Sequence, residues 1–155
     1  MPDVRRQSWV MDNISLDKYK DFWVLASQAR TKDRYSPYFD IPPVRVIPLA
    51  DKERLIATIL ELFAEKVKRI PRPNLNDPDR ILGIRAKAFN LKSPRAYLRD
   101  ARAFYLQRKD DTLAIEEWKK EKGGWHAEPI WKKEFKSGEL DDLIAYLIEK
   151  VRETE

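Results

Sequence analysis

The chain has 155 residues, a formal net charge of +5 and no cysteine. That length is one ordinary domain, able to bury roughly two-thirds of its unfolded surface without a covalent staple. The missing cysteines exclude a disulfide framework, a thiolate zinc site and a cysteine nucleophile. With no signal-peptide pattern and no run approaching roughly 20 apolar residues, the sequence reads as a soluble, cytoplasmic protein.

Residues 1 to about 15 show no clear period and are expected to form a loosely held arm carrying Trp9. Asp21 to Ser27 is short and rich in aromatic and β-branched residues, the composition of a strand buried on both faces. After a charged loop, Tyr38–Ile41 and Val44–Leu49 are expected as two short strands separated by a break at Pro42-Pro43, with Pro48 pointing to an edge or a strand end. Asp51 caps a helix expected to run to about Lys68. A proline-marked connector follows, then two short helices, one from Asp77-Pro78 to about Asn90 and one opened by Ser93-Pro94.

From Arg102 the pattern changes to period two. Phe104 and Leu106 fall on one side of a strand, and Ala103, Tyr105 and Gln107 on the other. Asp110-Asp111 marks a tight turn, after which Leu113 and Ile115 face away from Ala114, Glu116 and Trp118. Lys122-Gly123-Gly124 marks the next turn, and Trp125 to Phe135 a third strand interrupted by Pro129. The chain then enters its most strongly patterned stretch. Leu140, Leu143, Ile144, Leu147, Ile148 and Val151 recur at helical spacing, with Ser137 as the expected N-cap, acids in the first turn and Lys150 and Arg152 in the last. Leu55–Glu61 aligns on Leu143–Glu149 without gaps, four of the seven positions being identical. A strand-strand-strand-helix unit used twice therefore predicts a single-domain α+β fold: one antiparallel sheet with two long helices, near 51–68 and 138–152, packed on one face.

Charge is distributed unevenly. Between Lys66 and Lys109 there are thirteen Lys and Arg against three Asp, a local balance of +10 that leaves −5 for the remainder. Such asymmetry suits a charged partner, although solvated helix faces alone give similar counts.

Little in the sequence suggests catalysis. His126 is the only histidine, so no His-rich metal cluster exists, and a single strand histidine reads as structural. Adjacent carboxylates Glu116-Glu117 and Asp141-Asp142 diverge, by alternation on a strand and by about 100° on a helix. No phosphate-cradling glycine loop is present. The expectation is a binding protein, not an enzyme, without cofactor or metal. One candidate partner is nucleic acid, met by the basic segment 66–109 through Arg72, Arg80, Arg85, Lys87, Lys92, Arg95, Arg99 and Arg102, with Phe89, Tyr97 and Tyr105 interleaved. A structural subunit is a third class.

The Trp-bearing strand, the strand running into a Leu/Ile-rich helix, the basic helical middle, then Phe104-Tyr105-Leu106, Thr112-Leu113-Ala114-Ile115, Trp118 and the closing Asp141-Asp142-Leu143-Ile144 helix start form an ordered set. Over about Lys20 to Arg152 this resembles the immunity proteins of bacterial contact-dependent growth inhibition (CDI) systems, the CdiI family. The resemblance implies stoichiometric binding of a cognate toxin C-terminal domain, often a nuclease, in the cytoplasm, and supplies no catalytic residues. Inhibitors of nucleases usually present carboxylates, whereas this chain is basic. Two contact sets follow: the acids Glu116, Glu117, Glu121, Asp141 and Asp142, or the basic middle with Arg72, Arg80, Arg85, Arg95 and Arg99.

Overall fold

The computed structural model describes residues 12–30, 38–65, 84–92, 94–121 and 124–153. In chain order these form β1 (Asp12–Tyr19), β2 (Phe22–Arg30), β3 (Tyr38–Pro48), α1 (Lys52–Ala64), α2 (Ile84–Ala88), α3 (Pro94–Asp100), β4 (Ala101–Lys109), β5 (Thr112–Glu121), β6 (Gly124–Lys136) and α4 (Leu140–Glu153). The sheet runs β3-β2-β1-β4-β5-β6, with every neighbouring pair antiparallel. The architecture is the α+β arrangement expected from the repeated unit.

Each βββα unit occupies one half of the sheet, and the two halves meet at β1 and β4, where Leu16 lies opposite Phe104 and Ile14 opposite Leu106. The duplication extends to individual hydrogen bonds. Both hairpins have two-residue loops whose first residue, Lys20 or Asp110, sits at φ 52°. In one unit Leu49 N donates to Asp21 O at 2.8 Å; in the other Ser137 N donates to Asp111 O at 2.8 Å. The helix starts match as well, Leu55 N donating to Asp51 O and Leu143 N to Glu139 O. Alternating strand directions make β3 and β6 antiparallel, so α1 and α4 cross the same face in opposite directions.

That face holds the main core. Ile14 and Leu16 of β1, Leu25 of β2, Phe104 and Leu106 of β4, and Leu113 and Ile115 of β5 are buried under Leu55 and Ile59 of α1 and Leu143 and Leu147 of α4. Trp23 lies among them, its ring edge-on to Phe104 at 6.4 Å. The aliphatic stripes that the two helices share in sequence are thus the two halves of one core.

Several local expectations change. Residues 12–15, read as part of the arm, begin a central strand; residues 1–11 lie outside the described residues. Tyr38–Ile41 and Val44–Leu49 are one strand, because β3 is an edge strand and absorbs Pro42-Pro43 in a bulge, pairing passing from Leu25↔Arg45 to Ser27↔Ile41. The helix expected to reach Lys68 stops at Ala64, where Glu65 turns extended at ψ 132°. Of the helix expected from Asp77, the described part is Ile84–Ala88, and Asn90 closes it at φ 55° while Leu91 N donates to Ala86 O. Ser137 is not the cap of α4. It pairs with the β4–β5 hairpin, and Glu139 takes the position before the helix, its carboxylate accepting from Lys136 N at 2.8 Å. The Lys122-Gly123 part of the second turn lies outside the described residues.

Because Ile59 and Leu147 are fully buried, Ile59→Ala and Leu147→Ala are each expected to cost about 2–4 kcal/mol in urea denaturation. Losses below about 0.5 kcal/mol at both positions would show that the helices do not share this core.

Candidate functional site

The opposite face of the sheet is built differently. On β1 it presents Asn13, Ser15, Asp17 and Tyr19, all buried although three of them are polar. Asp17 is fully buried, and its in-register neighbours Val24 and Ala103 offer no charge or hydrogen-bonding side chain. Its partners come from the segment between the two units. The Arg85 guanidinium of α2 donates to Asp17 Oδ2, and the Tyr97 hydroxyl of α3 donates to the same oxygen at 2.6 Å. Around this anchor Tyr97 stacks on Tyr19 at 4.9 Å, and Phe89 lies 4.5 Å from Tyr19 and 6.2 Å from Tyr97. Val24, Ala86 and Ala101 complete the small second core.

The anchor decides what α2 and α3 show to solvent. Two residues along a helix are about 200° apart, so burying Arg85 turns Lys87 outward, and burying Tyr97 turns Arg95 and Arg99 outward. All three cations are exposed, as is Lys92 between the helices. Arg95 and Arg99 are four residues apart, on one side of α3. Asp100 partly offsets them, 3.7 Å from Arg99 Nε. At the edge of the aromatic cluster stands Phe22, 5.9 Å from Phe89 and 36% exposed. Phe22 departs from the expectation of a strand buried on both faces, which holds from Trp23 to Ser27.

The acidic set does not assemble. Glu117 points into the helix-covered face, where Arg102 grips it through Nε–Oε2 and Nη2–Oε1 contacts of 2.9 Å and Trp131 Nε1 donates to it at 3.1 Å. Glu116 lies on the other face, half-buried, accepting from Trp118 Nε1 at 2.7 Å beside the stacked Tyr105–Trp118 pair. Asp141 and Asp142 are exposed in the first turn of α4, and the Glu121 side chain lies outside the described residues. Of the basic set, Arg85 is consumed by Asp17, Arg95 and Arg99 share a surface, and Arg72 and Arg80 lie outside the described residues. The His126 side chain also lies outside them.

The outer surface of α1 and α4 carries the opposite sign. From Lys52 to Glu65 and along α4, seven exposed acids face three exposed bases. Arg45 of β3 neutralises two of the acids, approaching Glu61 and Glu65 at 3.5 Å. An open groove of about 730 Å³ between the start of α1 and the end of α4 contains Lys52, Glu149, Arg152 and Glu153, a balanced set without preference for an anion or a cation. Among the described residues no group of three or more His, Asp or Glu is placed to hold a metal ion, and no helix is long and apolar enough to cross a membrane.

No family model and no curated protein matches the chain. Solved structures share its fold. A protein of unknown function from Neisseria meningitidis superposes with a TM-score of 0.64 at 12% identity, covering 90% of this chain and 92% of its own. A chain of a CdiA-CT/CdiI toxin and immunity complex from Yersinia pseudotuberculosis superposes with a TM-score of 0.52 at 13% identity, covering 76% and 80%.

Sequence reasoning singled out the arginines but missed Asp17, which fixes their directions. The available signal was the alternation Ile14-Ser15-Leu16-Asp17, in which a carboxylate occupies a strand position flanked by core residues. Since Asp17→Asn leaves the Arg85 guanidinium buried without its counter-charge, it is expected to destabilise the fold by about 3–5 kcal/mol. Tyr97→Phe, which removes one hydrogen bond to a charged acceptor, should cost about 1.5–3 kcal/mol. Chemical denaturation of both variants checks the order; equal stability of Asp17→Asn and wild type would refute the anchor.

Proposed function

We propose that this protein is an immunity protein, which binds the C-terminal domain of a cognate contact-dependent growth inhibition toxin in the cytoplasm and neutralises it stoichiometrically, without turnover. The observation that carries the reading is the fold shared with a chain of a toxin and immunity complex over most of both lengths, joined to the independent resemblance in sequence order. The distribution of charge supports a binding role. Among the described residues Asp17 is spent on Arg85 and Glu117 on Arg102, while exposed acids outnumber exposed bases seven to three along α1 and α4 and exposed cations outnumber acids four to one on α2, α3 and the turn between them. A nuclease is the expected toxin activity, since a nucleic-acid-cleaving domain endangers the cell that makes it and requires a resident inhibitor.

A second reading is favoured by one observation: Arg95 and Arg99 are exposed on the same side of α3, as phosphate contacts would require. The two readings separate in one experiment. The C-terminal domain encoded by the neighbouring upstream gene is expected to kill cells that express it alone, to spare cells that also make this protein, and to copurify with it one to one. A toxic domain that stays active in equimolar mixture, or a pull-down that recovers nucleic acid alone, would defeat the immunity reading.

A further inference from the structure

We infer that the toxin is met by the basic face carried on α2 and α3, around Phe22, Lys87, Lys92, Arg95 and Arg99, and that the complementary surface of the toxin domain is acidic. This deepens the immunity reading and rests on it. The resemblance left the acids and the cations open as contacts, and the side-chain positions separate them. Glu117 is spent on Arg102 and Trp131, Glu116 is half-buried on the other side of the sheet from Asp141 and Asp142, and Arg45 offsets two of the acids beside α1. The cations instead lie on one layer, formed by two helices in contact. Among the described residues, four exposed Lys and Arg stand against Asp100 on α2, α3 and the turn between them, and the partly exposed ring of Phe22 packs beside Phe89 of the same layer.

Three features make this surface suited to a protein partner. Arginine and aromatic side chains are the residue types that dominate binding energy at interfaces. The backbone beneath them is preorganised, since Asp17 holds α2 and α3 through one carboxylate oxygen and the Tyr19, Phe89 and Tyr97 rings pack between helix and sheet. A prealigned surface loses less side-chain and loop entropy on binding. Finally, the acidic surface of α1 and α4 is on the opposite side of the sheet, and exposed charges separated through solvent by more than the Debye length of about 8 Å at physiological salt are largely screened from one another. The acids behind the sheet therefore do not cancel the attraction of the basic face for an acidic partner.

The test compares three proteins against the purified toxin C-terminal domain: wild type, Arg95→Glu/Arg99→Glu and Asp141→Lys/Asp142→Lys. Calorimetry at low and physiological salt gives affinity, and coexpression gives protection. The arginine reversal is expected to weaken binding by on the order of 100-fold and to abolish protection, because two like-charge contacts replace two favourable ones. The aspartate reversal is expected to leave both within a few-fold of wild type. Lys87→Glu/Lys92→Glu repeats the test at independent exposed positions, and thermal melts of all variants report whether the fold is kept. Loss of binding in the aspartate variant with full binding by both basic-face variants would overturn the inference and leave the immunity reading standing. A wild type that neither binds nor protects would overturn both. Binding of a single-stranded RNA oligonucleotide at about 50 mM salt, abolished by the arginine reversal while toxin binding is unchanged, would make the face a nucleic-acid site and also overturn the inference.

Discussion

A carboxylate with no exposure to water, on a central strand of the sheet, constrains more of this protein than any other group. Asp17 has Val24 and Ala103 beside it in register, and neither can neutralise it. Transferring an unpaired carboxylate out of water costs several kcal/mol even after relaxation, so β1 is tolerable in its position only when counter-charge arrives from above the sheet. Arg85 supplies it from 68 residues away in sequence, and the Tyr97 hydroxyl, 80 residues away, adds a hydrogen bond. One ion pair and one hydroxyl thereby dock the segment linking the two units, fix the rotation of both short helices and determine which cations meet solvent. Replacing Asp17, Arg85 and Tyr97 together by apolar groups of similar volume would leave packing but remove that orientation, a difference in specificity more than in hydrophobic burial.

The duplicated unit explains why such a device occurs on one side only. On the helix-covered face the halves are close copies, with Leu55 and Leu143, and Ile59 and Leu147, in matching buried places. On the other face α2 and α3 of the joining segment pack against Tyr19 of β1 and Val24 of β2. The corresponding part of the second half carries Tyr105, Glu116 and Trp118. The described helices of the connecting segment, α2 and α3, pack over Tyr19, Val24 and Ala101 across the junction, so the two faces of one duplicated sheet carry different layers.

How much of this was legible in the sequence depended on whether the forces involved were local. Helices α1 and α4 were readable because their burial is written in a 3.6-residue period, and β4 and β5 because their alternation matches one covered face. Strand β1 was not, since Asp12–Tyr19 buries polar residues as well as apolar ones and the reason lies in α2 and α3. The double proline in β3 signalled a break by local rules, yet an edge strand can carry it in a bulge. At the candidate site, charge counting located the basic segment but could not separate Arg85, spent in the interior, from Arg95 and Arg99, left on the surface. Nor could adjacency predict the fate of Glu116 and Glu117 as contacts, because what each side of the strand packs against is set by tertiary structure.

The junction of the two halves also shapes how the molecule comes into being. Hairpins β1–β2 and β4–β5 turn on two residues each, within reach of microsecond events. The β1–β4 seam pairs residues 82 to 96 positions apart, from Tyr19↔Ala101 to Asp12↔Arg108. Closing so long a loop adds little to the equilibrium cost, which grows only logarithmically with length, but contacts of such separation slow folding. During synthesis the first unit must therefore wait with the β1 edge bare, and Ile14 and Leu16 short of their cross-strand partners, until β4 has emerged. An unpaired apolar edge is a template for wrong pairing, so the interval between translation of the two units is the window in which this chain is most vulnerable to association with its own copies.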